Sequence, residues 1–246
     1  MSWVAQHGAS VRLEWGVAAI EHLAVDVDCV VVVDVMSFST CVDVAVARGA
    51  SVYPYAWLDA SARVYASGIG AELASVDRRL AGGWSLSPAS LATVPTGLKL
   101  VLPSPNGSAI AFAARDKGVA VFCGGLRNAR ATARACAGFD RVLVVPCGER
   151  WPDGSLRPAL EDLVGAGAIV AALGRMDSSP EARVAALAHG AFAQTALGND
   201  RRATLADCAS ARELVERGFA ADVALCLDED ASDVAAQLVQ DGFVAV

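Results

Sequence analysis

Acidic side chains at two points of the chain could bind a divalent cation. Asp34 directly follows a run of four valines that predicts a buried strand, and Glu161 and Asp162 open a later apolar helix. In open α/β sheets, ligands bind beyond the carboxyl ends of the strands, where Asp34 would lie. Three carboxylates at one rim suit Mg²⁺, which prefers hard oxygen ligands. Their spacing in the sequence leaves open whether they converge, and acidic residues are common in any first helical turn.

A second polar segment, Asn106-Gly107-Ser108, separates a predicted strand from a predicted helix. Gly107 lets backbone N–H groups approach a ligand closely, and Ser108 adds a hydroxyl group at the start of the helix. Together with the helix dipole, these groups could hold a phosphate or a carboxylate. An ordinary helix cap has the same pattern.

A third polar segment, Cys147-Gly148-Glu149-Arg150, also follows a predicted strand. Cys147 is a candidate catalytic residue and Gly148 a candidate substrate-binding residue because of this position. Arg150 could bind an anion through two parallel hydrogen bonds, or pair with a nearby acid on a solvated loop. A thiol-phosphatase mechanism is excluded, because no cysteine has an arginine at the spacing that such a phosphate cradle requires.

Three further residues are candidates for binding substrate at the same rim. Ser39 or Thr40 is expected to cap a helix over residues 41–48, and Asn128 is expected to cap the helix over residues 128–136. Each could equally serve as a cap alone. His7, His22 and His189 have no partner at a meaningful spacing, which argues against a Ser-His-Asp triad.

The composition narrows the function classes. The 246 residues carry a net charge of −7 and no basic stripe, which argues against a nucleic-acid partner. An acidic protein that binds an anion needs local positive charge, a helix N-terminus or a metal ion. No G-x-x-x-x-G-K-[ST] loop occurs in the sequence, so a standard nucleotide triphosphate site is not predicted.

The cysteines and the N-terminal segment predict a cytoplasmic location. Seven scattered cysteines form no C-x-x-C pair, which argues against a zinc site and is typical of reduced, buried thiols. The N-terminal segment has no signal-peptide pattern, and the valine run is too short to span a membrane, so no membrane association is expected. The apolar helix over residues 160–173 could pack in the core or against a second copy of the chain.

Strands that alternate with helices predict an α/β fold with a mostly parallel or mixed sheet and helices on both faces. We treat residues 1–246 as one α/β domain, in which two related halves could be hidden. Residues 68–95 are expected to be a long loop or lid, and the chain from Pro180 on is expected to be mainly helical, with one last strand over residues 221–227. The predicted strands cover residues 11–15, 29–35, 51–55, 99–102, 119–123 and 141–145; the predicted helices end at residues 23, 48, 67, 115, 136, 173, 197 and 217.

These segments resemble, in order, the 2-phosphosulfolactate phosphatase family. The matching pieces are Val32-Val33-Asp34-Val35, Asn106-Gly107-Ser108, Asn128-Ala129, Cys147-Gly148, Leu160-Glu161-Asp162 and the C-terminal stretch from Arg212 to Leu227. The resemblance implies a three-layer α/β/α fold and a Mg²⁺-dependent phosphatase of the coenzyme M pathway. The substrate would be a small phosphorylated acid that carries a sulfonate and a carboxylate.

Two departures from the family pattern bear on the substrate. The family often has an arginine two or three residues after the strand aspartate, whereas this chain has Met36-Ser37-Phe38. The family's Gly-Asn-Ser-Pro segment is reduced here to Leu86-Ser87-Pro88. A phosphorylated hydroxy acid other than phosphosulfolactate is therefore an alternative substrate.

Our mechanistic hypothesis assigns Asp34 and Glu161 to catalysis and Asp34, Glu161 and Asp162 to Mg²⁺. The amides around Asn106 and Gly107 would hold the phosphate. The nucleophile would be either a water molecule or the Asp34 carboxylate itself. Two rival functions use the same scaffold: a non-catalytic anion-binding protein, and a metal-dependent hydrolase of another ester.

Overall fold

A nine-stranded sheet, with helices on both faces, forms the frame of this computed structural model, which describes residues 3–75, 77, 83–191 and 201–246. The α/β prediction with a mostly parallel sheet is confirmed. The strands are β1 (Val11–Leu13), β2 (Cys29–Val33), β3 (Ser51–Tyr55), β4 (Glu72–Leu73), β5 (Lys99–Pro103), β6 (Ala120–Gly124), β7 (Val142–Pro146), β8 (Glu149–Arg150), β9 (Leu156–Arg157), β10 (Ala236–Val239) and β11 (Gly242–Ala245). The helices are α1 (Gly16–Leu23), α2 (Phe38–Ala47), α3 (Ser61–Ile69), α4 (Pro88–Leu91), α5 (Gly107–Asp116), α6 (Ala129–Cys136), α7 (Leu160–Leu173), α8 (Pro180–Ala191), α9 (Arg201–Ala206), α10 (Ala209–Glu216) and α11 (Ala220–Cys226).

The sheet contains two parallel groups joined by an antiparallel hairpin. Its strand order is β1-β7-β2-β6-β10-β11-β3-β5-β4, and β8 pairs separately with β9. Strands β1, β7, β2 and β6 are parallel to one another, as are β3, β5 and β4. Three successive antiparallel pairings separate β6 from β3, so the two groups run in opposite directions.

The valines of β2 alternate between two hydrophobic cores, one on each face of the sheet. Val30 and Val32 pack with apolar residues of α1, α2 and α5. Val31 and Val33 pack with residues of α6, α7 and α8 on the other face. A strand buried on both faces reads as a continuous apolar run, which explains why this strand is so clear in the sequence.

The C-terminal region differs from the sequence-based expectation. Residues 221–227, predicted as a last strand, belong to α11, and the chain instead ends in the β10–β11 hairpin at the centre of the sheet. The sequence does carry a signal near this hairpin, because Asp241-Gly242 lies between two apolar segments; the two turn residues are Gln240 and Asp241, and Gly242 begins β11. The error came from the Ala- and Val-rich composition of α11, which does not distinguish a short helix from a strand.

Other boundaries shift by a few residues. The helix predicted from Cys41 begins at Phe38, so Ser39 and Thr40 lie inside its first turn instead of capping it. The predicted lid over residues 68–95 contains β4 and α4, while residues 76 and 78–82 lie outside the described residues. The predicted helix over residues 182–197 is described as α8 up to Ala191, and its remainder also lies outside.

Helices α7 and α8 pack closely because of a glycine. A Cβ atom placed on Gly167 would lie 2.0 Å from the backbone oxygen of Ala185.

No helix within the described ranges has both the length and the apolar character needed to cross a membrane.

Candidate functional site

Asp34 lies one residue beyond the end of β2 and is almost fully buried. Its Oδ1 accepts a hydrogen bond from the backbone N–H of Phe38 (3.3 Å), and its Oδ2 accepts one from the backbone N–H of Gly107 (3.2 Å). These residues are the first of α2 and α5, respectively. Both helix N-termini therefore favour a negative charge at Asp34.

Gly107 reaches Asp34 from the oppositely directed strand group. It follows β5, but α5 packs across β2, β3 and β6 and so carries the start of the helix to the end of β2. A Cβ atom on Gly107 would lie 2.3 Å from Cδ1 of Phe38. The absence of a side chain at Gly107 therefore lets the Phe38 ring pack against the start of α5, where the backbone N–H of Gly107 contacts Asp34. Whether this segment also binds a ligand stays a prediction.

A cavity of about 210 Å³ adjoins Asp34. Asn106 lies in its wall, so the predicted Asn106-Gly107 segment is brought to the site. The cavity is lined by Asp34, Met36, Ser37, Leu86, Ser104, Pro105, Asn106, Glu149, Ser210, Glu213, Leu214 and Arg217.

Glu149 is a cavity residue that the sequence reasoning did not assign to the site. Its Oε2 accepts a hydrogen bond from Nδ2 of Asn106 (3.3 Å). Burial, and then the negative charges of Asp34 and Glu161, raise the pKa of Glu149 to about 7. A carboxyl group with a pKa near neutrality is typical of functional sites. Its only signal in the sequence was its position just after a strand, next to Cys147 and Gly148.

Asp162 fixes the ends of two neighbouring strands. Its Oδ1 accepts a hydrogen bond from the backbone N–H of Val35 (2.7 Å), beyond β2, and its Oδ2 accepts one from Gly148 (2.9 Å), beyond β7. Burial, followed by the charges of Glu161 and Asp34, raises the pKa of Asp162 well above its ordinary value. Asp162 therefore holds the backbone behind the cavity and is absent from the cavity lining.

Glu161 is also buried and absent from the cavity lining. Its Oε2 accepts a hydrogen bond from Sγ of Cys208 (3.3 Å). Among the residues that the structure describes, no three His, Cys, Asp or Glu side chains are grouped closely enough to hold one metal ion. The expected three-carboxylate site of Asp34, Glu161 and Asp162 is thus not assembled, since Asp162 binds backbone amides and Glu161 contacts the Cys208 thiol.

Cys147, Gly148 and Arg150 lie at or beside a second, smaller cavity of about 130 Å³. Asn106 and Glu149 line both cavities, so their hydrogen bond lies at the boundary between them. Arg150 donates from Nη1 to the backbone oxygen of Gly154 (3.1 Å) on its own loop. Burial and the charges of Asp34 and Asp162 raise the pKa of Cys147 well above its ordinary value, which disfavours the thiolate that a nucleophile requires.

The hydroxyl groups predicted to bind substrate are used within the fold. Oγ of Ser39 accepts a hydrogen bond from the backbone N–H of Asp34 (2.8 Å), and Oγ1 of Thr40 donates to the backbone oxygen of Val35 (2.9 Å). Oγ of Ser108 accepts from the backbone N–H of Tyr55 (3.0 Å). Ser39 and Thr40 thus hold the backbone around Asp34, Ser108 holds the end of β3, and none of the three lines the cavity.

Asn128 has a similar structural position. Its Oδ1 accepts a hydrogen bond from the backbone N–H of Gly125 (3.0 Å), and its Nδ2 donates to the backbone oxygen of Val234 (3.3 Å). It therefore ties the start of α6 to the segment that precedes β10, away from the cavity lining.

The family model described as 2-phosphosulpholactate phosphatase matches residues 18–241, nearly the whole chain. The chain belongs to the 2-phosphosulpholactate phosphatase family. Enzymes of this family are phosphoric monoester hydrolases. A search of curated proteins finds no significant match.

In this family member, α10 supplies a side of the cavity that the motifs near Asp34 did not predict. Ser210, Glu213, Leu214 and Arg217 come from this helix and its C-terminal end. They are more than 170 residues away from Asp34 in the sequence. Because no spacing rule connects such distant residues, only the packing of α10 could reveal them.

Proposed function

We propose that this protein is a Mg²⁺-dependent phosphatase that hydrolyses the phosphate ester of a small acidic metabolite, with 2-phosphosulfolactate as the first candidate substrate. The observation that carries the proposal is the buried Asp34 carboxylate at the end of β2, beside a cavity and in contact with the first amide of α5. Membership of the phosphatase family supports the reaction class.

The charge of the cavity supports a requirement for a cation. Asp34 and Glu149 both line it, and two carboxylates repel a phosphate group at close range. Mg²⁺ commonly binds through one or two carboxylates together with substrate phosphates, so a site with these two acids fits it without a third protein ligand. Asp34 would hold the ion with Glu149, and bound Mg²⁺ would neutralise the charge of the phosphate oxygens.

The chain's own groups orient the phosphate ester. Asn106 lies at the cavity beside the N-terminus of α5, where the helix dipole favours an anion. Asp162 fixes the two strand ends behind the cavity through Val35 and Gly148. Without a bound cation the pKa of Glu149 is about 7, so binding of the ion to its carboxylate would release a proton near neutral pH.

Two nucleophiles are compatible with this arrangement: a water molecule in the cavity, and the Asp34 carboxylate, which would form an aspartyl-phosphate. The stereochemistry at an isotopically chiral phosphate distinguishes them. Inversion at phosphorus supports a single displacement by water. Retention, together with a phosphate adduct trapped on Asp34 by rapid quenching, supports the covalent route.

Two further features belong to the same proposal. Met36 and Ser37 line the cavity next to Asp34, where the family often has an arginine. Another phosphorylated hydroxy acid therefore remains an alternative substrate. Seven free cysteines support a reducing compartment, and we place the enzyme in the cytoplasm, in the coenzyme M pathway if phosphosulfolactate is the substrate.

A phosphate-release assay tests the function. The purified chain is incubated with 2-phosphosulfolactate or 2-phospholactate, with Mg²⁺ or with EDTA. We expect phosphate release that requires Mg²⁺ and returns when Mg²⁺ is added back. Tight binding of these esters without any release would instead favour a non-catalytic anion-binding protein.

A further inference from the structure

Arg217 is the one positively charged side chain among the described residues that line the larger cavity. It directly follows α10, whose Ser210, Glu213 and Leu214 line the same cavity. The remaining charged residues of the lining are acidic. A substrate that carries an acid group besides its phosphate therefore meets a single matching charge there.

The ion pair between Arg217 and Glu213 is exposed and exchangeable. Nη1 of Arg217 lies 3.0 Å from Oε1 of Glu213, four residues earlier, and both side chains are more than half exposed. Exposed ion pairs of this kind contribute little net free energy, because water competes for both charges. A guanidinium group can bind a carboxylate or a sulfonate through two parallel hydrogen bonds, which adds both strength and orientation.

The other arginines near the site are held elsewhere. Arg150 borders the smaller cavity and donates to Gly154, and Arg157 donates from Nη2 to Oγ of Ser210 (3.4 Å) and lies over the ring of Trp151. Arg212 lies on the same helix as the cavity residues but pairs with Asp207 and is absent from the lining.

We propose that Arg217 binds the carboxylate or sulfonate of the substrate and thereby selects phosphorylated acids over neutral phosphate esters. This assignment rests on the proposed phosphatase function and adds the residue that sets its specificity. On binding, the guanidinium group of Arg217 exchanges the Glu213 carboxylate for the acid group of the substrate.

The test compares two esters with the same carbon skeleton. 2-Phosphosulfolactate carries two acid groups, whereas glycerol 2-phosphate carries hydroxyl groups in their place. For Arg217→Gln, we expect kcat/KM for 2-phosphosulfolactate to fall about tenfold to a hundredfold, mainly through KM, since a hydrogen-bonded charge pair is lost. The value for glycerol 2-phosphate should change less than about twofold. Arg217→Lys should recover part of the loss.

Arg212→Gln serves as the matched control, because it removes an arginine from the same helix without touching the cavity lining. It should leave the ratio of the two kcat/KM values unchanged. An equal loss for both esters in Arg217→Gln, or no loss for either, would overturn the assignment.

A calorimetric titration with sulfolactate, which needs no turnover, separates this proposal from the phosphatase proposal. We expect native protein to bind sulfolactate and Arg217→Gln to bind it about tenfold or more weakly. Equal affinity, or no binding to the native protein, would contradict the role of Arg217. Failure of the native protein to release phosphate would contradict only the phosphatase function.

Discussion

The carboxylate of Asp34 accepts hydrogen bonds from two backbone amides that belong to different helices, α2 and α5. It thus aligns two helix N-termini while it faces the cavity. An asparagine at this position keeps one acceptor oxygen but replaces the other with a donor. The substitution Asp34→Asn should therefore reduce the rate of the reaction far more than the stability of the fold.

For Asp34→Asn, we expect the phosphatase rate to fall at least about a hundredfold to a thousandfold, which is typical for the loss of a main electrostatic contact. Folding should survive at a cost of about 1–3 kcal/mol, because one buried backbone amide loses a charged acceptor. Phosphate release and thermal unfolding measure the two effects. Asp59→Asn, at an exposed carboxylate outside both site cavities, is the control. A well-folded Asp34→Asn protein with normal turnover would remove Asp34 from the reaction.

Glu149 should make stability depend on pH. Burial and the charges of Asp34 and Glu161 raise its pKa from 4.5 to about 7 on folding. Between these values the folded chain binds more protons than the unfolded chain, so the contribution of Glu149 to stability is lost as the pH rises through about 7. Urea unfolding in EDTA at pH 5 and pH 8 should show a smaller decrease for Glu149→Gln than for the native protein. Glu21→Gln, at an exposed site on α1, is the control and should lose as much stability as the native protein. An equal loss of stability in all three proteins would show that Glu149 does not cause the pH dependence.

At the scale of elements, the first turn of α7 links β2 to β7 through Asp162. Each oxygen of its carboxylate accepts a hydrogen bond from a buried backbone N–H in the segments that follow these strands. The link keeps Val35 and Gly148 in place behind the cavity. The start of α7 therefore holds together the two strand ends that carry the site.

Asp162→Ala should destabilise the protein by about 1–3 kcal/mol for each of the two amides left without an acceptor. Asp153→Ala is the matched control, because its carboxylate also accepts a backbone N–H, from Ser155, but on an exposed loop where water can replace it. Urea unfolding of both variants provides the comparison. Similar small changes in both would show that the buried link is unimportant.

The contact between α7 and α8 depends on the absence of a side chain at Gly167. Gly167→Ala should cost about 1–3 kcal/mol or more, since the new methyl group would lie 2.0 Å from the Ala185 oxygen unless the helices separate. Gly190→Ala places the same methyl group on α8 with nothing within 4 Å, and should stabilise the helix by about 0.5–1 kcal/mol. Thermal unfolding should therefore shift in opposite directions. A shift in the same direction would show that the two helices can move apart without cost.

At the scale of the whole molecule, all seven cysteines are buried within the two cores, three in one and four in the other. The sulfur atoms of Cys29 and Cys136 are 3.6 Å apart and share a hydrogen bond as thiols. A thiol reagent should label less than about one cysteine per chain in the native protein, because burial limits access and keeps the thiols protonated. It should label all seven after unfolding without reductant. A count of five would reveal a disulfide bond.

The β10–β11 hairpin was not predicted, although one of its local signals is present in the sequence. The Asp241-Gly242 pair beside its Gln240-Asp241 turn is a recognised hairpin signal, but the position of the hairpin at the centre of the sheet, between two oppositely directed parallel groups, has no local signature. The alternation of buried valines in β2, by contrast, depends only on the strand's own residues. A continuous apolar run therefore identified this fully buried strand from its own residues, whereas pairing between distant strands has no such local signal.

The sequence by itself determined the α/β class, most of the strands and helices, the position of Asp34 at a strand end and the glycine turn at residue 107, because each depends on neighbours within a few residues. Only the tertiary structure decided that Gly107 reaches Asp34 from the opposite strand group, that Glu149 and Arg217 line the cavity, and that Asp162 binds backbone behind it. These contacts join residues far apart in the chain, and the packing of whole helices against the sheet brings them together.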